Sequence, residues 1–522
     1  MKTKKTIFLQ TLLIFTFFLA AMLNVYGQQS TYGNFPYAQS FLTKIQPSEI
    51  SKPTASGTNV AAFTTDGLML TDKVSQQFGA IFVNDRKFNS LNGIVIEFEY
   101  MVYGGTNADG FSVFFFDANV ENPHIGSKGA AIGYTYNRAL MRHYPAERRQ
   151  GLSGGYLGIA FDSYGNFKAT RFLNEEIVAG IGIKKPGTSH ITLRGAKGAP
   201  YAPSGTTFNG MGDGYTGYPV LITQSTNTNE GSAILNENGD YVFNFNPAYS
   251  GNFNLRGGAV FENGDVNNPA YRKAIIELFP MDDNDGMVVT VKIQHGKEIT
   301  IVIDDYEYRS VTKYRETAIV SDLSGDNIYG QIDENSTPII SNVLDLQSKI
   351  PDFVRIGFAG ATGMYNDIHM IKNLNITLPG AAEANDDSVK IRTIAPVTIY
   401  PLLNDYGYEG KIMRDQQKSP EHINPATFSF LDNDGNIVSN PYTTNEGTWE
   451  YNASNGIVIF TPNANFIDNA NIKYEVYGNK TTAIPYSDPA YRSLPATISV
   501  ILDNTPNPTR NTISNKMVTI KL

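Results

Sequence analysis

Six segments of this 522-residue chain are strand-length, apolar, and set apart by Gly, Asn, Asp and Pro. They are Gly93–Met101 (GIVIEFEYM), Gly110–Phe116 (GFSVFFF), Gly155–Asp162 (GYLGIAFD), Met287–His295 (MVVTVKIQH), Glu298–Asp304 (EITIVID) and Val354–Ala359 (VRIGFA). Each is rich in the Val, Ile, Phe and Tyr that suit a pleated surface. No long stretch keeps a 3.6-residue apolar period. Short strands without helices between them predict an all-β chain built as a two-sheet sandwich or jelly roll.

The length corresponds to about two to four domains. Hydrophobic residues make up 41%, ample for large cores, and the 30 Tyr, 30 Phe and 47 Gly fit strands joined by long polar loops. A net charge of −9 and a pI near 5.3 weigh against a nucleic-acid partner. There is no cysteine, hence no disulfide, no thiol nucleophile, no thiolate metal site and no lipid-modified cysteine. For an exported protein of this size, that fits a bacterial source better than an animal one.

Residues 1–27 carry the pattern of an export signal. Lys2, Lys4 and Lys5 precede the apolar run Ile7–Leu23, and Val25-Tyr26-Gly27 suits a cleavage site, so the mature chain is expected to start near Gln28. An uncleaved anchor is the alternative, but the run is short and broken by Gln10. No later segment is long and apolar enough to cross a bilayer, so no span is expected after signal removal. The chain is therefore expected outside the cell or on a bacterial cell surface.

The remaining chain divides by composition. Residues 28–378 form the first predicted domain, with a loop-rich insertion at 195–258, crowded with Gly, Asn, Thr, Tyr and Pro and expected to hold loops and a short hairpin or two. Residues 379–388 (PGAAEANDDS) are small, polar and acidic, as a linker would be. A second β pattern covers 389–504, the length of one small sandwich, and 505–522 is expected as a tail or the stub of another unit.

Three constellations carry chemistry. In GYLGIAFDSYGNF (Gly155–Phe167), Asp162, Asn166 and the Tyr164 carbonyl offer carboxylate, amide and backbone oxygens, a donor set suited to Ca²⁺. In Asn107-Ala108-Asp109-Gly110-Phe111, Asp109 stands at the mouth of a strand, where a carboxylate can accept sugar hydroxyls; the alternative is a turn-forming Asp-Gly. Gly154-Gly155 lets a backbone N–H approach a ligand closely, or makes a tight turn. The six histidines (His124, His143, His190, His295, His369, His422) show no metal-binding spacing, and the basic run His143–Arg149 is expected as a solvated loop.

In this order, with FVRIGFAGATGMYNDIHMIKNLNIT (Phe353–Thr377) as closing strands, the motifs resemble the L-type lectins. These are the legume lectins and their bacterial relatives, with the concanavalin A-like jelly roll. The resemblance runs over most of residues 30–378. It implies that Asp109 is the sugar-binding carboxylate, after a cis Ala108–Asp109 bond in a loop that bound calcium holds indirectly. It implies that Gly155 or Gly154 donates a backbone N–H to the sugar. Asn166 would serve both calcium and sugar, and Tyr164 would offer its carbonyl to calcium and its ring to an apolar sugar face. Asp162 would be the calcium carboxylate. The family's second metal finds no partners, because Ala160, Thr170 and Ile177 stand where its ligands belong, so Mn²⁺ is not expected. Calcium is a candidate cofactor that lacks an identified fourth ligand; Glu175 and Glu176 are the nearest acids.

The second domain resembles the CshA-type and cadherin-like repeats of bacterial adhesins. The resemblance rests on Pro401-Leu402-Leu403-Asn404-Asp405, Gly447-Thr448-Trp449, Gly456–Pro462 (GIVIFTP) and Tyr474-Glu475-Val476. It implies a smaller Ig- or cadherin-like β-sandwich acting as a spacer. Asp432-Asn433-Asp434-Gly435 lacks the other positions of a calcium loop and is expected to be a turn. The function expected is non-catalytic glycan recognition by an exported or surface adhesin. A glycan or glycoconjugate is the partner, with cell-surface or matrix proteins as further partners. Two alternatives stand beside it: a lectin-like protein–protein adhesin, and a polysaccharide hydrolase or lyase of the same fold. Glu97 and Glu99 have the same-face spacing a hydrolase needs, but the polar face of an amphipathic strand explains them.

Overall fold

Alternation along Gly110–Asp117 sends its side chains into two different cores. The computed structural model describes residues 32–54, 57–135, 151–168, 188–197, 218–227, 231–244, 253–318, 340–408, 418–478 and 489–503. The segments expected as an export signal and a tail, the run His143–Arg149, and residues Thr170, Glu175, Glu176 and Ile177 lie outside them. The chain divides into two compact units, Met1–Pro379 and Gly380–Leu522. Among the described residues both are all-β, joined by turns and short 3₁₀ segments, as the strand-length segments predict. No helix of the described residues is long and apolar enough to cross a membrane.

Among the described residues, the first unit holds two large antiparallel sheets that form a sandwich, and a separate two-stranded pair, Val311–Ala318 with Ile340–Gln347. One sheet runs, in spatial order, Glu298–Arg309, Gly286–His295, Arg272–Pro280, Ile94–Tyr103, Ile368–Thr377, Gly67–Thr71 and Ala62–Thr64, with Tyr37–Gln39 also paired to Ile368–Thr377. The other runs Tyr241–Asn244, Ser232–Leu235, Val220–Ser225, His190–Arg194, Gly155–Asp162, Gly110–Asp117, Phe353–Ala361, Phe78–Val83 and Ile50–Ser51, with Phe88–Asn89 off its path. The 195–258 segment, expected as loops with a short hairpin or two, is more ordered than that in its described part. There, successive hairpins extend this second sheet by three strands.

Between the sheets lies an aromatic core. Phe111 stacks on its cross-strand partner Phe161 at 4.4 Å, and Phe98 of the facing sheet meets Phe358 edge-on at 5.2 Å and Phe161 at 5.6 Å. The opposite face of Gly110–Asp117 is also dry. Phe114 and Phe116 join Phe82, Ile132, Tyr134, Leu152, Ala160 and Tyr218 in a second cluster, beneath the segments that precede Gly155–Asp162. Burial on both faces explains why GFSVFFF and GYLGIAFD are nearly continuous apolar runs.

The second unit holds two four-stranded sheets. Asp387–Ile391, Ala496–Leu502, Asn469–Gly478 and Ile423–Leu431 form one; Val397–Ile399, Ile457–Pro462, Gly447–Asn452 and Tyr442–Thr443 form the other. Its core gathers Trp449, Phe428, Phe430, Phe460 and Tyr474. The residues expected as a linker are packed instead. Ala382 is buried with Ile423 and Val476, and Asp387 opens a strand. Asp405, from the PLLND motif, is a structural pin: it accepts the Asn385 N–H at 2.8 Å and the Tyr474 hydroxyl at 3.0 Å. Asp432 closes its own turn by accepting the Asp434 and Asn436 N–H groups at 2.9 and 2.8 Å.

The sole tryptophan, Trp449, makes the two units separately observable. Phe98→Ala is expected to cost about 3–5 kcal/mol in the first unit. A urea titration should show the far-UV dichroism transition of that unit at lower denaturant, with the Trp449 emission midpoint unchanged.

Candidate functional site

At one end of the sandwich, the loop after Ile94–Tyr103 turns back to start Gly110–Asp117, and a single carboxylate organises it. Asp367, fully buried at the start of Ile368–Thr377, accepts the Gly105 N–H at 2.7 Å and the Asn107 N–H at 3.0 Å. Arg256 completes it, with Nε at 2.9 Å and Nη2 at 3.2 Å from the same carboxylate; Nη2 also reaches the Gly105 carbonyl at 2.9 Å. The guanidinium fork matches two oxygens at once. Arg256 comes from the end of the 195–258 segment.

The loop delivers Asp109 to the strand mouth. The Ala108–Asp109 bond is cis, as the lectin resemblance implies. The Asp109 N–H donates to the Ala361 carbonyl at 2.9 Å, and its carbonyl accepts the Tyr164 N–H at 3.1 Å. Gly110 follows at φ +138°, where a Cβ would lie 2.3 Å from the Phe161 carbonyl oxygen, so no other residue fits this crossing.

Asp162 builds the neighbouring turn. It is fully buried, and its two oxygens accept the Gly165 N–H at 2.7 Å and the Lys168 N–H at 3.1 Å. The turn carries Tyr164 and Asn166, both half-buried. Beside it, the buried Lys168 ammonium donates to His190 Nε2 at 2.8 Å. Burial and this ammonium hold His190 well below the usual histidine pKa, so its ring is neutral, and the Nδ1–H faces Thr223 Oγ1 at 3.2 Å.

Burial pushes the Asp109 carboxyl up to about 7, and the nearby Asp162 carboxylate adds to the effect. Asp162 itself is raised by burial to about 6, while Lys168 and the turn's N–H groups pull the other way. Three buried oxygens here have no hydrogen-bond partner among the described residues: Asp109 Oδ2, Asn107 Oδ1 and Ser163 Oγ. The two loops that carry them touch, because Asn107 Nδ2 donates to the Ser163 carbonyl at 3.3 Å. An unsatisfied buried acceptor costs about 1–3 kcal/mol, so hydroxyl donors presented here would be bound favourably.

An apolar rim adjoins the carboxylate. The Tyr164 and Tyr365 rings stack at 5.7 Å and 27°, and Met364 is 85% exposed. Val74 joins through its own loop, where its carbonyl accepts the Thr362 hydroxyl and the Gln76 N–H donates to the Gly363 carbonyl. Gly363 packs close against the carboxylate: a Cβ there would stand 3.4 and 3.5 Å from the two Asp109 oxygens.

The structure thus brings Asp109, Asp162, Tyr164 and Asn166 together. It does not bring Gly154 and Gly155. Gly155 pairs with Phe116, whereas Phe161 pairs with Phe111. At about 3.3 Å per residue, the glycine pair is on the order of 20 Å from the Asp162 end of its strand. The Gly155 N–H is already donated to the Leu152 carbonyl at 3.1 Å, and a Gly154 Cβ would strike Val120 at 2.6 Å. These glycines serve a turn, not the Asp109 site. Sequence reasoning missed Asp367, Arg256, Lys168, Gly363 and Tyr365. Asp367 left a signal, as an acid immediately before a buried strand; Arg256 left none.

Calcium fits this donor set poorly. Both Asp162 oxygens already accept backbone N–H groups, and a buried ammonium stands alongside. No group of three or more His, Cys, Asp or Glu that could hold a metal occurs among the described residues.

No protein-family model and no curated protein matches the chain. Among solved structures it is similar to peanut lectin with a bound nonapeptide, at 14% identity over 66% of this chain and 97% of that one, TM-score 0.31. It is similar to the VIP36 exoplasmic/lumenal domain in its Ca²⁺/Man-bound form, at 11% identity over 67% and 91%, TM-score 0.31. It is also similar to the Bauhinia forficata lectin in complex with GalNAc, at 12% identity over 66% and 99%, TM-score 0.31.

The raised Asp109 pKa sets a sign for stability. The folded state disfavours the charged carboxylate, so the penalty is absent near pH 4, develops towards pH 7 and is complete above it. Asp109→Asn removes this penalty. Its Tm should exceed the parent's at pH 8, by the equivalent of about 2–4 kcal/mol, and the gap should shrink towards pH 4.

Proposed function

We propose that this chain is an exported carbohydrate-binding protein whose first unit recognises a glycan without catalysis and whose second unit serves as a spacer. One observation carries the reading. A buried carboxylate with an unpartnered oxygen, Asp109 Oδ2, stands at a loop cluster beside two further unpartnered oxygens and a tyrosine pair. A sugar suits that arrangement, since its hydroxyls donate to such acceptors while its C–H face rests on an aromatic ring. Asp109 accepts hydroxyls, Asn107 and Ser163 supply further acceptors, Asn166 offers a half-buried amide, and Tyr164 with Tyr365 forms the platform. Export rests on the Lys2–Gly27 pattern, and a surface or matrix setting on the adhesin-like second unit.

The carboxylates support a non-catalytic role. Glu97 pairs with Lys273 at 2.5 Å, and the buried Glu99 pairs with Lys372 at 3.4 Å and with Asn373 at 3.0 Å. Both are committed to holding the sheet. Asp162 lies beside Asp109, but it is fully buried and accepts its own turn's N–H groups, so it cannot reach a scissile bond as a second carboxyl. The exposed Met364, with Tyr365 and Val74 beside it, favours a second reading in which this rim docks a protein.

A glycan array separates these readings. The parent should bind a restricted set of glycans, and Asp109→Asn should abolish that binding while keeping the fold. A parent that binds no glycan, or a variant that binds unchanged, removes the assignment. Binding by the carboxylate should weaken as pH falls below about 7, approaching tenfold per unit well below the Asp109 pKa. Gly363→Ala, at an ordinary φ, should reduce affinity at unchanged Tm, because its methyl would contact both Asp109 oxygens.

A further inference from the structure

The Lys168 side chain is buried, and an ammonium is held in such surroundings only where partners compensate it. Its partners stand at one strand end. His190 is directly across from Asp162 in the register, and Nζ donates to its neutral Nε2 at 2.8 Å. The backbone N–H of Lys168 itself donates to Asp162 Oδ2 at 3.1 Å. The histidine is held from behind by Thr223, whose hydroxyl lies 2.8 Å from that of Thr192. A positive charge is therefore built into the covalent chain close enough to Asp162 to favour its ionised form.

We propose that the Lys168 ammonium is the resident cation of the Asp162 turn, so that this site folds and holds its shape without a metal ion. The turn then keeps its N–H bond from Tyr164 to Asp109 by protein contacts alone. A divalent ion at Asp162 would meet a like charge, and no group of three or more His, Cys, Asp or Glu stands among the described residues to offset it. Lys168 acts as a positioning residue, through Asp162 and the Tyr164 amide. The inference takes the location of the turn from the glycan-binding reading but does not depend on what binds there.

Two arms test it on the full chain, neither using a glycan. In the first, thermal unfolding is followed in EDTA and in millimolar CaCl₂. The parent should melt at the same temperature in both, and elemental analysis of protein desalted from CaCl₂ should find no stoichiometric calcium. A native-state site of micromolar affinity would instead raise Tm by several degrees and retain calcium, and either result overturns the proposal. In the second, Lys168→Met, Asp162→Asn and the double variant form a cycle. Charge compensation predicts that the double variant loses less Tm than the two single losses combined, whereas simple addition assigns Lys168 to packing only and also overturns the proposal. The first arm needs no variant, so it decides the matter even if Lys168→Met fails to fold.

Discussion

The Asp367 carboxylate is fully buried, and it is satisfied by two backbone N–H groups and one guanidinium. The donors belong to two different structural problems. Gly105 and Asn107 belong to the loop that must place Asp109, and Arg256 belongs to a segment distant in sequence. Joining them at one buried carboxylate makes the loop's shape a consequence of the sandwich, since Asp367 opens the strand Ile368–Thr377. Leaving such a carboxylate with fewer donors would cost several kcal/mol, on the order of 3–5 for a broken buried pair. The clamp is therefore a strong determinant of where Asp109 stands.

A second buried carboxylate holds the other side of the site. Asp162 closes the turn that carries Tyr164 and Asn166, and the Tyr164 N–H reaches back to the Asp109 carbonyl. Asp109 is thus held from two directions by carboxylates whose oxygens both accept hydrogen bonds. Of these three carboxylates, its own is the one left with an unpartnered oxygen among the described residues. This division of labour explains the electrostatics: two acids close together in a dry setting both titrate high, and the one with fewer donors titrates higher.

Much of this was legible in the sequence. Strand-length Val, Ile, Phe and Tyr runs without a helical period gave away the all-β fold, because a strand between two dry layers must be apolar on both faces. Asp109, Asp162, Tyr164 and Asn166 could be grouped because their motifs follow the order seen in the L-type lectins that the chain resembles, each at or just past the end of an apolar run. Gly154 and Gly155 misled for a related reason: a strand has two ends, and motif order does not say which end a glycine occupies. Arg256 and Lys168 were invisible because a long cationic side chain in a polar segment looks solvated until its buried partner is known. Residues 379–388 looked like a linker by composition, yet Ala382 and Asp387 find partners in the second unit.

Hydrogen–deuterium exchange of the full chain, with and without a glycan identified on an array, tests the central claim most directly. Bound glycan should protect the backbone amides of three segments, 105–109, 163–167 and 362–366, and leave those around Gly154 and Gly155 unchanged. Protection centred on Gly154–Gly155, or in the second unit with none at the three loops, would contradict the account.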